Sequence, residues 1–129
     1  MNGTADPAAR ADADRMAHCD VVAEVTLSTH CANFIHVGQV YVFDLRGVLD
    51  PRRSTAPLCL GIIARLQPAL LLAADRAASG LHPISPDRQN FDCFDTGIDH
   101  GGTGKVFVRL SLRDRRDGGV IADAHPAPG

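Results

Sequence analysis

Residues 105–112, KVFVRLSL, most constrain what this chain can fold into. Val106, Val108, Leu110 and Leu112 lie on one side of an extended chain, with Phe107, Arg109 and Ser111 on the other. That period of two marks a strand with one face on a core. One such strand needs partners before it is stable in water. Residues 21–27, VVAEVTL, supply a second, with Val21, Ala23, Val25 and Leu27 on one face and Glu24 and Thr26 on the other. Residues 39–45, QVYVFDL, supply a third, with Tyr41, Phe43 and Leu45 opposed to Val40 and Val42.

Between the second and third of these in chain order the period changes. Leu58, Ile62, Leu66, Leu70 and Ala73 recur at helical spacing. Ser54 or Thr55 is placed to cap this helix with Pro57 in its first turn, and Gly80 to end it. Pro68 should kink the helix or split it, because proline removes a backbone donor and crowds the preceding turn. The helix is apolar nearly all round, so it should lie between the sheet and another surface. Residues 81–103 read as a long loop, which in a small domain either serves a function or is held by something. The expected class is therefore α+β: a small antiparallel or mixed sheet with one Pro-kinked helical segment.

A chain of 129 residues suffices for one domain. Its 13 Lys+Arg against 15 Asp+Glu, with 5% aromatics, argue against non-specific nucleic-acid binding, which needs positive charge and stacking surface. The longest apolar run, Leu58–Ala74, is broken by Arg65, Gln67 and Pro68, and falls short of the roughly 20 residues a bilayer span demands. Residues 1–17 carry Asp and Arg where a signal peptide needs an apolar stretch, and read as an arm. Residues 113–129 read as an irregular tail, leaving 18–112 as the domain and the cytoplasm as the expected compartment.

In a reducing compartment Cys19, Cys31, Cys59 and Cys93 read as metal ligands or buried core rather than as disulfides. Cys31 lies in the loop after the first strand, Cys59 in the first turn of the helix, and Cys93 before the last strand. A helix packed across a small sheet can bring these points to one end. His36, His30 or His100 could supply a fourth position, and three thiolates with one imidazole make a closed structural zinc site. Iron suits such donors as well, and three buried thiols can equally be plain core. Cys19 has no place in the set. Gly97–Lys105 resembles a phosphate loop but has Asp99 where glycine is needed and Val106 where Ser or Thr should hold magnesium. Asp92, Asp95 and Asp99 around Cys93 and His100 could make a small nucleophilic or acid–base site, although turn-forming aspartate is the commoner use.

Cys31 with Val37-Gly38-Gln39 and a strand, Pro57-Leu58-Cys59 opening a helix, and Cys93-Phe94-Asp95 before a Val-Phe-Val strand form an ordered series. It resembles a family of short prokaryotic proteins with Cys…Val-Gly-Asp/Gln, Cys-Pro at a helix start and Cys-x-Asp before the last strand. The chain departs from that pattern with Leu60 in place of the proline and with His36 one residue late. Both departures bear on the fourth ligand rather than on the cysteines.

Size, arms and thiol series are also similar to the small gamma subunit of acetophenone-carboxylase-type complexes. Those are zinc-containing, biotin-independent, ATP-dependent carboxylases of an aromatic ketone, with large subunits like hydantoinases. The resemblance implies a non-catalytic accessory subunit in a hetero-oligomer. It implies zinc on Cys31, His36, Cys59 and Cys93, and ATP and substrate on the larger subunits. The alternative is a stand-alone metal-binding or redox-active thiol protein.

Overall fold

A computed structural model of the chain describes residues 17–31, 34–93 and 104–122. Its elements are β1 (Cys19–Thr29), β2 (Val40–Phe43), α1 (Leu60–Ala78), β3 (Asn90–Asp92) and β4 (Lys105–Asp114). The strands form one antiparallel sheet in the order β2-β1-β4-β3. The α+β class and antiparallel sheet are as the patterning predicts, with β3 added inside what read as a loop. A three-residue strand, NFD, has no room to show a period of two, so only its pairing with Phe107–Arg109 makes it visible.

The two long strands form the centre. Their register sets Val21 opposite Leu112, Ala23 opposite Leu110 and Val25 opposite Val108, all buried on the same face. Leu27 departs from the expected face. The register slips between Val25 and Leu27, and a one-residue slip turns a side chain over, so Leu27 is exposed. Cys19 is buried in this core beside Val21.

Helix α1 lays Ile62, Leu66, Leu70 and Ala73 on the sheet. Burying a leucine such as Leu66 contributes about 2 kcal/mol. Pro68 does not split the helix, which runs through it as one element. Both Pro68 and Ala64, whose carbonyl loses its partner, are on the exposed side, where water can serve that carbonyl. The helix ends as expected at Gly80, whose φ of 77° lets its own N–H bond Ala77 O and the Leu81 N–H bond Arg76 O.

The start differs from expectation. Ser54 and Thr55 do not cap α1. Their hydroxyls accept the N–H groups of Val42 and Val40, each at 2.9 Å, on the outer edge of β2. Thr55 and Ala56 N–H groups bond Val40 O, and Asp50 N–H bonds Val42 O, so segment 48–56 closes that edge. An edge strand's open donors thus claim the hydroxyls that a helix start would otherwise use.

The expected tail also begins too early at 113. Arg113 and Asp114 belong to β4, and the chain turns at 115–117 so that Val120 bridges Arg113 and Ile121 N–H bonds Leu112 O. The turn is anchored at Asp20, buried on the sheet face away from α1. The terminal Nη1 and Nη2 of Arg53 and the Nε and Nη2 of Arg115 bond its carboxylate. One carboxylate thereby ties β1, segment 48–56 and the turn after β4 together. No described helix is long and apolar enough to cross a membrane.

Replacing Asp20 with Ala should lower stability by about 2–3 kcal/mol in urea unfolding, since two guanidiniums lose a charged acceptor. The exposed Arg52→Ala should stay within about 0.5 kcal/mol of the parent.

Candidate functional site

Three of the four thiols, Cys31, Cys59 and Cys93, lie toward one end of the fold. β1 finishes there at Thr29, β4 begins at Lys105 and β3 finishes at Asp92. Cys31 follows β1 through His30, whose φ is 53°. Gly104 presses on this corner so closely that a Cβ there would run into the carbonyls of Thr29 and His30. Only glycine permits that approach.

Cys59 is the residue before the helix rather than in its first turn. It holds the N-cap position in extended conformation, and its carbonyl accepts the Ile63 N–H at 3.1 Å. Cys93 follows β3 and is fixed by two contacts to Val106: its N–H bonds Val106 O at 3.0 Å, and its Sγ accepts the Val106 N–H at 3.4 Å. All three thiols are half-buried and pack on the same core.

Tyr41 lies near two of these thiols. Its ring is fully buried and its hydroxyl donates to Pro57 O at 2.6 Å. Burial raises the phenol well above its usual range, and the nearby Cys59 and Cys31 sulfurs raise it further. Cys31 and Cys59 therefore share one neighbourhood, with Tyr41 between the sheet and the helix start. The pattern at 39–45 placed Tyr41 on the core face. Its hydroxyl's role near the thiols depends on Pro57, sixteen residues on, and has no local signature.

The remaining predicted ligands stand apart from that pair. His36 is exposed in a turn where its N–H bonds Gln39 Oε1 at 2.7 Å and its carbonyl accepts the Gln39 N–H. His30 is exposed. His100, Asp95 and Asp99 lie outside the described residues. Among the described residues no three His, Cys, Asp or Glu side chains form a group able to hold a metal ion. The geometry does not gather Cys93 and His36 with Cys31 and Cys59.

Asp92, weighed as an acid–base candidate, is engaged elsewhere. Lys105 Nζ and Arg65 Nη2 each stand 3.1 Å from its carboxylate, and Arg65 Nε bonds its carbonyl. The hydrogen bond from Lys105, then that from Arg65, holds the carboxyl below its ordinary range. It works as a clamp joining β3, β4 and the first half of α1.

No family model, no curated protein and no solved structure matches this chain.

Timed alkylation read by intact mass should modify Cys31, Cys59 and Cys93 well before Cys19, which is buried in the core. The Asp92 carboxyl, lowered in the fold, contributes stability that is present above its unfolded value and lost as pH falls through the folded one. The stability gap between the parent and Asp92→Asn should accordingly be widest near neutral pH and shrink below about pH 4 in a series of urea melts.

Proposed function

We propose that the chain is a non-catalytic accessory subunit, docked by the outer face of α1 on larger chains and carrying zinc on its thiols. The observation that carries the docking half is apolar surface that nothing in the described fold covers. Leu58, Leu60 and Leu71 are 66%, 75% and 63% exposed. Single exposed leucines are ordinary. These three instead line one groove of about 670 Å3, together with Leu49, Ile63 and Leu70, between α1 and the loop after β2. A helix apolar on both faces has its inner face satisfied by the sheet and its outer face open. Covering Leu60 and Leu71 would contribute about 2 kcal/mol each.

The class of the larger partner rests on the resemblance of the thiol series to gamma subunits of acetophenone-carboxylase-type complexes. On that reading the partners are hydantoinase-like carboxylase subunits. They bind ATP, bicarbonate and the aromatic ketone, and this chain supplies none of the reacting groups. The zinc reading is supported by donor chemistry: three half-buried thiols at one end of the fold, two of them beside Tyr41. Cys31 and Cys59 would hold the ion first, with Cys93 and His36 drawn to it on assembly.

The test is native purification of the tagged chain from its own cells, with mass spectrometry of what accompanies it and metal analysis of the product. Identified carboxylase or hydantoinase-type subunits in fixed ratio, with zinc in the complex, are expected. Leu60→Asp with Leu71→Asp should release the chain from them. Cys59→Ser should reduce the zinc content. A monodisperse chain recovered alone would overturn the subunit reading. Loss of neither zinc nor partners in these variants would overturn the assignments of groove and ligands.

A further inference from the structure

We propose that a cleft along the outer edge of β4 binds a small monocarboxylate with an apolar body, and that Arg109 takes its carboxylate. The site is distinct from the groove on α1 and from the thiols, and does not depend on the subunit reading. It arises because β3 is three residues long and β4 ten. β3 covers only Phe107–Arg109. Beyond it, Gln89 O accepts the Leu110 N–H at 2.7 Å, and the returning chain gives its Ile121 N–H to Leu112 O at 2.8 Å. A cleft of about 570 Å3 opens between these two attachments, within the size range of small-molecule sites.

The walls are apolar and fixed relative to each other. Ile84 and Pro86 line one side, Val120 and Ile121 the other. His82 ties them: its Nδ1 lies 3.1 Å from Ile84 N and 3.2 Å from Ile84 O, and its Nε2 3.0 Å from Ile121 O.

The charges in this cleft do not balance. Arg109 stands opposite Glu24 in the β1–β4 register. Yet the Glu24 carboxylate accepts from Arg113 at 2.8 Å, and Arg113 also bonds Ser111 Oγ. The guanidinium of Arg109 keeps Gln89 Oε1, a neutral acceptor at 3.4 Å, as its side-chain partner. Among the described residues no carboxylate contacts it. Two guanidiniums and one carboxylate lining the same cleft leave one positive charge. One carboxylate matches that charge and the flat fork of Arg109. A dianion would exceed the charge and meet Glu24. The apolar walls select what the carboxylate is attached to.

The experiment titrates 15N-labelled full-length chain with 4-phenylbutyrate and with octanoate, using 4-phenylbutanol as the uncharged control. Amide shifts of Gln89, Ser111 and Ile121 are followed. Saturable shifts at these amides with the acids are expected. The alcohol, and the acids on Arg109→Gln, should bind at least about tenfold more weakly, the loss of one charge-assisted pair. Arg109→Lys should also bind more weakly, since it keeps the charge without the fork. Arg109 is exposed, and the rest of each variant's spectrum reports whether the fold is kept. Absence of saturable shifts with both acids overturns the proposal. So does equal binding of the alcohol, or parent-like affinity in Arg109→Gln.

Discussion

The antiparallel pairing of β1 with β4 is the contact on which the rest of this structure depends. It joins the start of the described chain to its end, with Val21 against Leu112 and Thr29 against Lys105. Everything between must leave β1 and return to β4. Closing so long a loop costs configurational entropy that grows only slowly with length, so the insertion of β2, α1 and β3 is tolerated. In return the ladder presents Val21, Ala23, Val25, Val106, Val108, Leu110 and Leu112 as one apolar face. That face is what α1 packs on. The edge strands then attach to a sheet already fixed at its centre.

Charge finishes what packing begins. On the face away from α1 the carboxylate of Asp20 gathers Arg53 and Arg115, and Glu24 gathers Arg113. At the thiol end Asp92 gathers Arg65 and Lys105. Each clamp joins elements far apart in sequence, and at Asp20 the carboxylate is buried while its two cations stay partly exposed. Because Glu24 is committed to Arg113, the distribution leaves Arg109 with a neutral partner. The cleft beside β4 owes its character to that imbalance as much as to the shortness of β3.

The two faces of α1 have different fates. Ile62, Leu66, Leu70 and Ala73 meet the sheet, while Leu60 and Leu71 face outward along a groove. A helix with leucines on both sides has more apolar surface than a single four-stranded sheet can cover. The groove and the thiol end adjoin through Leu58 and Leu60, which flank Cys59 in sequence. A partner seated in the groove would therefore meet the chain within a residue of a thiol.

Much of the fold was legible in the sequence. Alternation at 105–112 and at 21–25, helical spacing from Ile62 to Ala73 and Gly80 after the helix are local signals, and each rests on geometry spanning a few residues. The places of Cys31 after the first strand and Cys93 before the last were legible too, because they follow from where strands begin and end. What needed the tertiary structure depends on a partner distant in the chain. Asn90–Asp92 is a strand only because β4 lies beside it, and Leu27 turns outward only because the register slips against β4. Ser54 and Thr55 leave the helix start because the open edge of β2 offers them donors. Arg113–Ile121 is folded because Asp20 and His82 hold it. Periodicity in the sequence determined which residues could form a core. Pairing, burial and the assignment of each charge to a partner decided which thiols share a neighbour and which arginine is left for a ligand.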